Sequence, residues 1–175
     1  MLLNHKQQHI VSEILHNEIN TTGKGFPVII YKSLFDEDIS SATFVFNFKK
    51  NGWEDTEVVT SLNRSLRYQN AHEVIGVFKG TVKISLIGDR VIVKKLNTGD
   101  IIAIPSGVEY KIHETSSNDV GFVRSVQLDG TQSNMFSGNA AIDMDTTHNV
   151  VLDPIFAEEG PLVHLWSQER IPAFV

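Results

Sequence analysis

The chain has 175 residues, 41% of them hydrophobic and 21% charged, with no cysteine, a composition and length that fit one soluble globular domain. Its 21 acidic residues outnumber 15 basic ones for a formal charge of -6, so the overall balance lacks the basic footprint of a nucleic-acid or anionic-membrane binder. Without cysteine there are no disulfides, thiolate metal ligands or cysteine nucleophiles, and no apolar run reaches the roughly 18 residues of a membrane span.

The start, Met1-Leu2-Leu3-Asn4-His5-Lys6, has no apolar core of signal-peptide length, so a cytoplasmic protein is expected. Over residues 7–19, Ile10, Val11, Ile14, Leu15 and Ile19 recur at helical spacing opposite Ser12, Glu13, His16 and Asn17. This predicts an N-terminal amphipathic helix that packs on the main body or on a second subunit. His5, His9 and His16 lie mostly off the apolar stripe, where solvated surface is the expected role rather than metal ligation. Asn20 to Gly25 is a loop by composition, and Val28-Ile29-Ile30-Tyr31 reads as a buried strand.

Asp36-Glu37-Asp38 reads as a solvated turn. Residues Thr43 to Phe48 alternate, with Phe44, Phe46 and Phe48 on one side, and predict a further strand. Lys49 to Trp53 is a turn ending in an aromatic residue. Strands are expected near 74–79, 81–87, 90–96, 101–104, 109–113 and 120–128, with Gly88-Asp89 as a two-residue hairpin turn between the second and third of these. After Asp129 the pattern weakens into Gly, Ser, Asn and Thr. Asp143, Asp145 and Asp153 lack the spacing of a calcium loop. The apolar tail from Leu152 to Trp166 reads as a strap across the main body or a subunit contact. Many short strands with little helix argue an all-β barrel or sandwich.

Four stretches carry a resemblance beyond that pattern. They are Asn51-Gly52-Trp53; Ala71-His72-Glu73-Val74-Ile75-Gly76-Val77 through Gly80; Gly99-Asp100-Ile101-Ile102-Ala103-Ile104-Pro105-Ser106-Gly107; and Asp153-Pro154-Ile155-Phe156 with Gly160-Pro161-Leu162 and Leu165-Trp166. Together they resemble the cupin superfamily (RmlC-like double-stranded β-helix), and within it the small bacterial YjlB-like cupins. The resemblance implies an all-β cupin jelly-roll barrel. Its organisation would be an N-terminal helical extension at 1–25, the barrel at 26–128 and a C-terminal extension at 129–175, all in a single domain.

In cupins the two motifs supply three histidines and a glutamate to a metal inside the barrel. Glu73 matches the glutamate, but Leu66, Tyr68 and Tyr110 stand at the histidine positions. One carboxylate and two phenols are a poor donor set for a transition metal. His72 and His113 sit at the opposite strand parity from Glu73 and Tyr110 and so look away from the interior. The expectation is therefore no metal and no cofactor, with Leu66, Tyr68, Glu73, Ile75 and Tyr110 inside the barrel.

A buried Glu73 without a cation should have its pKa raised. It would serve either as a general acid or base among phenols or, more simply, as a polar plug satisfied by the tyrosines. Trp53 is a candidate pocket residue whose alternative is core packing. Arg67 is placed at the surface by parity, while Arg124 is open between surface and a clamp for an acidic ligand. The functional expectation is a small-molecule-binding barrel that forms a homodimer. The alternative is a cupin enzyme of isomerase, lyase or dioxygenase type acting on a sugar or organic acid.

Overall fold

A computed structural model describes residues 11–15, 25–60, 65–66, 71–113, 119–128 and 151–166, with 11, 12, 65, 66 and 128 described by their backbone alone. Two antiparallel sheets face each other. The strands are β1 (Val11–Leu15), β2 (Val28–Tyr31), β3 (Glu54–Val59), β4 (Ser65–Leu66), β5 (Ala71–Lys79), β6 (Thr81–Ile87), β7 (Val91–Asn97), β8 (Ile101–Ile104), β9 (Glu109–His113) and β10 (Gly121–Leu128). One sheet runs β1-β2-β8-β5-β10-β3, the other β4-β9-β6-β7. In the eight strands from β3 to β10, consecutive strands cross between the sheets except for the β6–β7 hairpin, and the last pairs with the first. This is the strand order of a jelly roll.

Alternation along the strands divides the apolar residues into two cores. Ile75 and Val77 of β5, Ile84 and Leu86 of β6, Ile102 and Ile104 of β8, Tyr110 and Ile112 of β9 and Phe122 of β10 fill the space between the sheets. The intervening residues Val74, Ala103 and Val123, with Ile29 and Tyr31 of β2, face outward into a second core. The central strands of the six-stranded sheet, β2, β8 and β5, are thus buried on both faces, as expected of a layer covered on both sides. The covering pieces are helix α1 (Ser41–Lys50) and the segment 151–166, which ends in helix α2 (Pro161–Trp166).

Residues Thr43 to Phe48, expected as a strand, lie within α1. Phe44 and Phe48 are one helical turn apart and fully buried, while Phe46 is 65% exposed. A spacing of two and a spacing of four share these positions, and the chain's punctuation decides between them. Ser40 occupies the N-cap position. At the other end, Gly52 N–H donates to Lys49 O and Trp53 N–H to Phe48 O, with Gly52 at φ +82. That paired closure is a Schellman stop and needs a left-handed residue, which glycine supplies without strain. Burying the two rings contributes about 2 kcal/mol each. Phe44 seats directly over Gly76 of β5, where a Cβ would lie 2.6 Å from the ring.

The helix expected over residues 7–19 is also corrected, because Val11–Leu15 forms β1, antiparallel to β2. Five residues of that stretch find a free strand edge to pair with, and tertiary pairing overrides the local helical period. Glu13 then reaches across to form an ion pair with Lys94 of the other sheet. The remainder of that stretch, including His5, His9 and His16, lies outside the described residues. So do 129–150, with Asp143 and Asp145. The β6–β7 connection has three residues rather than two, since Ile87 pairs with Val91.

Candidate functional site

Among the described residues the interior core contains one charged pair. Glu73 lies on β5 with Ile104 of β8 on one side and Val126 of β10 on the other. It is 2% exposed. Arg124 is two residues from Val126 on β10, and the same alternation turns it inward beside Ile75. Its Nε donates to Glu73 Oε1 at 2.7 Å. Arg124 Nη1 stands 3.5 Å from Oε2 of Glu57, a mostly exposed residue on the neighbouring edge strand β3. Glu57, Arg124 and Glu73 therefore form a line of alternating charge running from the sheet edge into the barrel.

Glu73 Oε2 is buried and has no hydrogen-bond partner among the described residues. Burial pushes the Glu73 carboxyl above its ordinary range. The Arg124 charge, the nearby Tyr110 hydroxyl and the Arg124 hydrogen bond oppose that shift without cancelling it, and the Glu57 charge adds to it.

Of the residues expected inside the barrel, Glu73, Ile75 and Tyr110 face the interior. The backbone of Leu66 lies directly opposite Tyr110, across the β4–β9 pair. Tyr68 is outside the described residues. Trp53, expected as pocket lining, belongs to the second core on the far side of the six-stranded sheet, and its Nε1 donates to Leu152 O at 3.1 Å. It forms no part of the interior site.

Arg124 was left open by its sequence context. The available signal was parity, because Phe122 and Val126 flank it on the same face of one strand. Arg64 and Arg67 lie outside the described residues. A shallow open hollow of about 570 Å³ beside Ala42, Val45 and Phe46 of α1 shares no residue with the interior pair.

His72 faces away from Glu73, as parity requires. Its Nδ1 accepts the Ser106 N–H at 3.0 Å, and its ring packs against Phe26 and Trp166, which also stack on each other. His113 faces outward on β9, 2.7 Å from Ser85 Oγ. Among the described residues no three His, Asp or Glu side chains converge. The donor set around Glu73 does not fit the metal that cupins hold. A guanidinium already occupies one carboxylate oxygen, and the positions that would offer imidazoles carry Leu66 and Tyr110.

The motif residues shape the scaffold instead. Gly99 sits at φ +90 with Phe35 O 2.2 Å from where a Cβ would be, so only glycine fits there. Asp100 accepts Ser33 N–H, Asn97 N–H and the Lys32 ammonium, closing the β7–β8 turn.

No protein-family model and no curated protein matches this chain. Solved structures do. RmlC from Streptococcus suis in complex with dTDP-D-xylose is 12% identical, over 67% of this chain and 71% of that one, with a TM-score of 0.40. Acireductone dioxygenase from Bacillus anthracis is 15% identical over 64% and 90%, with a TM-score of 0.38. The WlaRB TDP-quinovose 3,4-ketoisomerase from Campylobacter jejuni is 14% identical over 42% and 61%, with a TM-score of 0.37. The chain spans about three fifths of the length of that ketoisomerase and of QdtA from Thermoanaerobacterium thermosaccharolyticum. The strand order, rather than these distant likenesses, makes the fold a jelly roll.

Proposed function

We propose that this protein binds a small molecule in the polar interior of its barrel, around Glu73, Tyr110 and Arg124, without the metal usual in cupins. Leu66 and Tyr68 belong to the same reading. The observation that carries it is Glu73 Oε2, a buried carboxylate oxygen without a partner among the described residues. A ligand bearing a hydroxyl or another hydrogen-bond donor would satisfy it, at less cost than leaving a buried acceptor unpaired. The Glu73–Arg124 pair is neutral as a unit, and Glu57 adds negative charge at the sheet edge. Neutral sugars and polyols are therefore the first compounds to test, ahead of organic acids, whose carboxylates the Glu57 charge repels. The same reading takes the protein as a single-domain cytoplasmic homodimer.

A thermal-shift screen of sugars, organic acids and divalent metals on wild type and Glu73→Gln tests it. The expected result is stabilisation of wild type by one organic class, lost in Glu73→Gln. One equivalent of metal bound by wild type and lost in Glu73→Ala overturns the reading, as does a ligand shift that survives Glu73→Gln.

The raised Glu73 pKa favours a second reading, proton transfer on the same ligand class in an isomerase or lyase reaction. Turnover of any compound found by the screen, abolished in Glu73→Gln, would establish that activity.

A further inference from the structure

The outer face of the four-stranded sheet differs in charge from the rest of this acidic chain. Alternation places Lys83 and Ser85 of β6, Val91, Val93 and Lys95 of β7, and Lys111 and His113 of β9 on this face. Their positions alternate with the interior residues Ile84, Leu86, Leu96, Tyr110 and Ile112. The register sets Lys83 directly between Lys95 and His113, and Ser85 directly between Val93 and Lys111.

Like charges opposite one another across strands are destabilising. Lys83, Lys95 and Lys111 nevertheless stand together without an acidic partner among the described residues, whereas Lys32, Lys79, Lys94 and Arg124 are each paired. Glu109 is the acidic residue that β6, β7 and β9 place on this face, and it lies opposite Ile87, two residues from Lys111 and at the far end from Lys83. The Ser85–His113 bond of 2.7 Å anchors the imidazole at the basic end. At the other end Val91 and Val93 are 60% and 58% exposed. The six-stranded sheet has α1 and residues 151–166 over its outer face. Among the described residues no such cover lies over this one. β7 is also an edge strand, paired with β6 alone among the described residues.

From these placements we infer that β7 and the basic face beside it form a docking site for an extended acidic peptide segment of a partner protein, added as a further strand along β7. Edge addition supplies backbone hydrogen bonds, and alternate side chains supply specificity. Carboxylates of the added strand lie over Lys95 and Lys83, and its apolar residues cover Val91 and Val93.

Charge decides against a second copy of this chain. Antiparallel pairing of two β7 strands brings Lys94 and Lys95 of both copies together, and edge lysines guard against such self-pairing. An acidic strand turns the same lysines into attraction. Nucleic acid is disfavoured because the face offers valines where a base-stacking platform needs aromatic or guanidinium planes.

Fluorescence polarisation of the full chain with a labelled short peptide of alternating Glu and Val tests the inference. The acidic peptide should bind and weaken with added salt. It should bind about tenfold more weakly to Lys83→Gln/Lys95→Gln, whose melting temperature does not fall below that of wild type. The same peptide with Gln for Glu, or N-methylated at alternate residues, should lose most of its affinity. The inference is overturned by any of four results: no binding of the acidic peptide, equal binding to the double variant, equal binding of the N-methylated peptide, or tighter binding of a single-stranded oligonucleotide. Light scattering that shows wild-type dimers lost in Val93→Lys, which adds like charge along β7, would likewise overturn it, in favour of self-pairing.

Discussion

Among the described residues three carboxylates are buried, Glu73, Asp100 and Asp153, and the surroundings of Asp153 and Glu73 differ. Asp153, in the outer core, is saturated. Its Oδ1 accepts the N–H groups of Ile155 and Phe156, and its Oδ2 accepts the Tyr31 hydroxyl at 2.6 Å and the Leu162 N–H. Gly160 passes so close that a Cβ there would lie 2.1 Å from the aspartate Cβ. Burial and the Asp153 charge push the Tyr31 phenol far above its ordinary range, which keeps it a donor to the carboxylate. Glu73, in the inner core, has one oxygen held by Arg124 and the other without a partner among the described residues.

The contrast separates a carboxylate whose every bond is internal from one that leaves a bond to be made. Asp153 fastens 151–166 to the sheet, and Asn51 reinforces it by donating to Pro154 O at 2.8 Å. Two of the four stretches that carried the family resemblance therefore act on each other as a structural clasp, while Glu73 is the chemically unfinished position.

The largest expected effect breaks the saturated side. Asp153→Ala leaves the Tyr31 hydroxyl and three backbone N–H groups without their acceptor, and should lower stability by about 4 kcal/mol in denaturant unfolding. A loss below about 1 kcal/mol would mean that the clasp is not stabilising. Next comes Arg124→Met, which strands a buried charge at Glu73 and should cost about 3 kcal/mol. Adding Glu73→Gln should return more than half of that loss, because the stranded charge is gone. Strictly additive losses would show that the pair is not coupled.

The smallest effect is in pH dependence. The folded-state pKa of Glu73 is raised above the reference 4.5, so the folded protein holds this proton more tightly than the unfolded chain does. Its contribution to stability is complete below about pH 4.5 and is lost as pH rises through the folded-state value. Measured by denaturant titration at several pH values, the stability difference between Glu73→Gln and wild type should move in favour of Gln as pH rises from 4.5. A difference independent of pH would remove the raised pKa from the account.

Much of the site was legible because strands alternate. Parity from the motif placed Glu73 and Tyr110 inside and His72 and His113 outside, and each is found there. Parity could not identify the partner of Glu73. Arg124 is 51 residues away in sequence, and the β5–β10 register that sets it beside Ile75 is a long-range pairing. Trp53 was misplaced because an aromatic residue near a motif carries no parity once a helix terminus intervenes. Phe44, Phe46 and Phe48 satisfied two periods at once, and the stop at Asn51-Gly52 was the local signal that distinguished them.

The sequence by itself determined the strand alternation, the turns at Gly80, Gly99 and Gly107, and the absence of imidazoles at the described metal-ligand positions, because each depends on local backbone chemistry or residue identity. Only the tertiary structure decided that Val11–Leu15 is a strand, that Arg124 neutralises Glu73, that Asp153 clasps the outer core, and that unpaired lysines meet on one open sheet face. Those outcomes depend on which distant segments become neighbours, and the free energy of such pairings lies in contacts that no local period encodes.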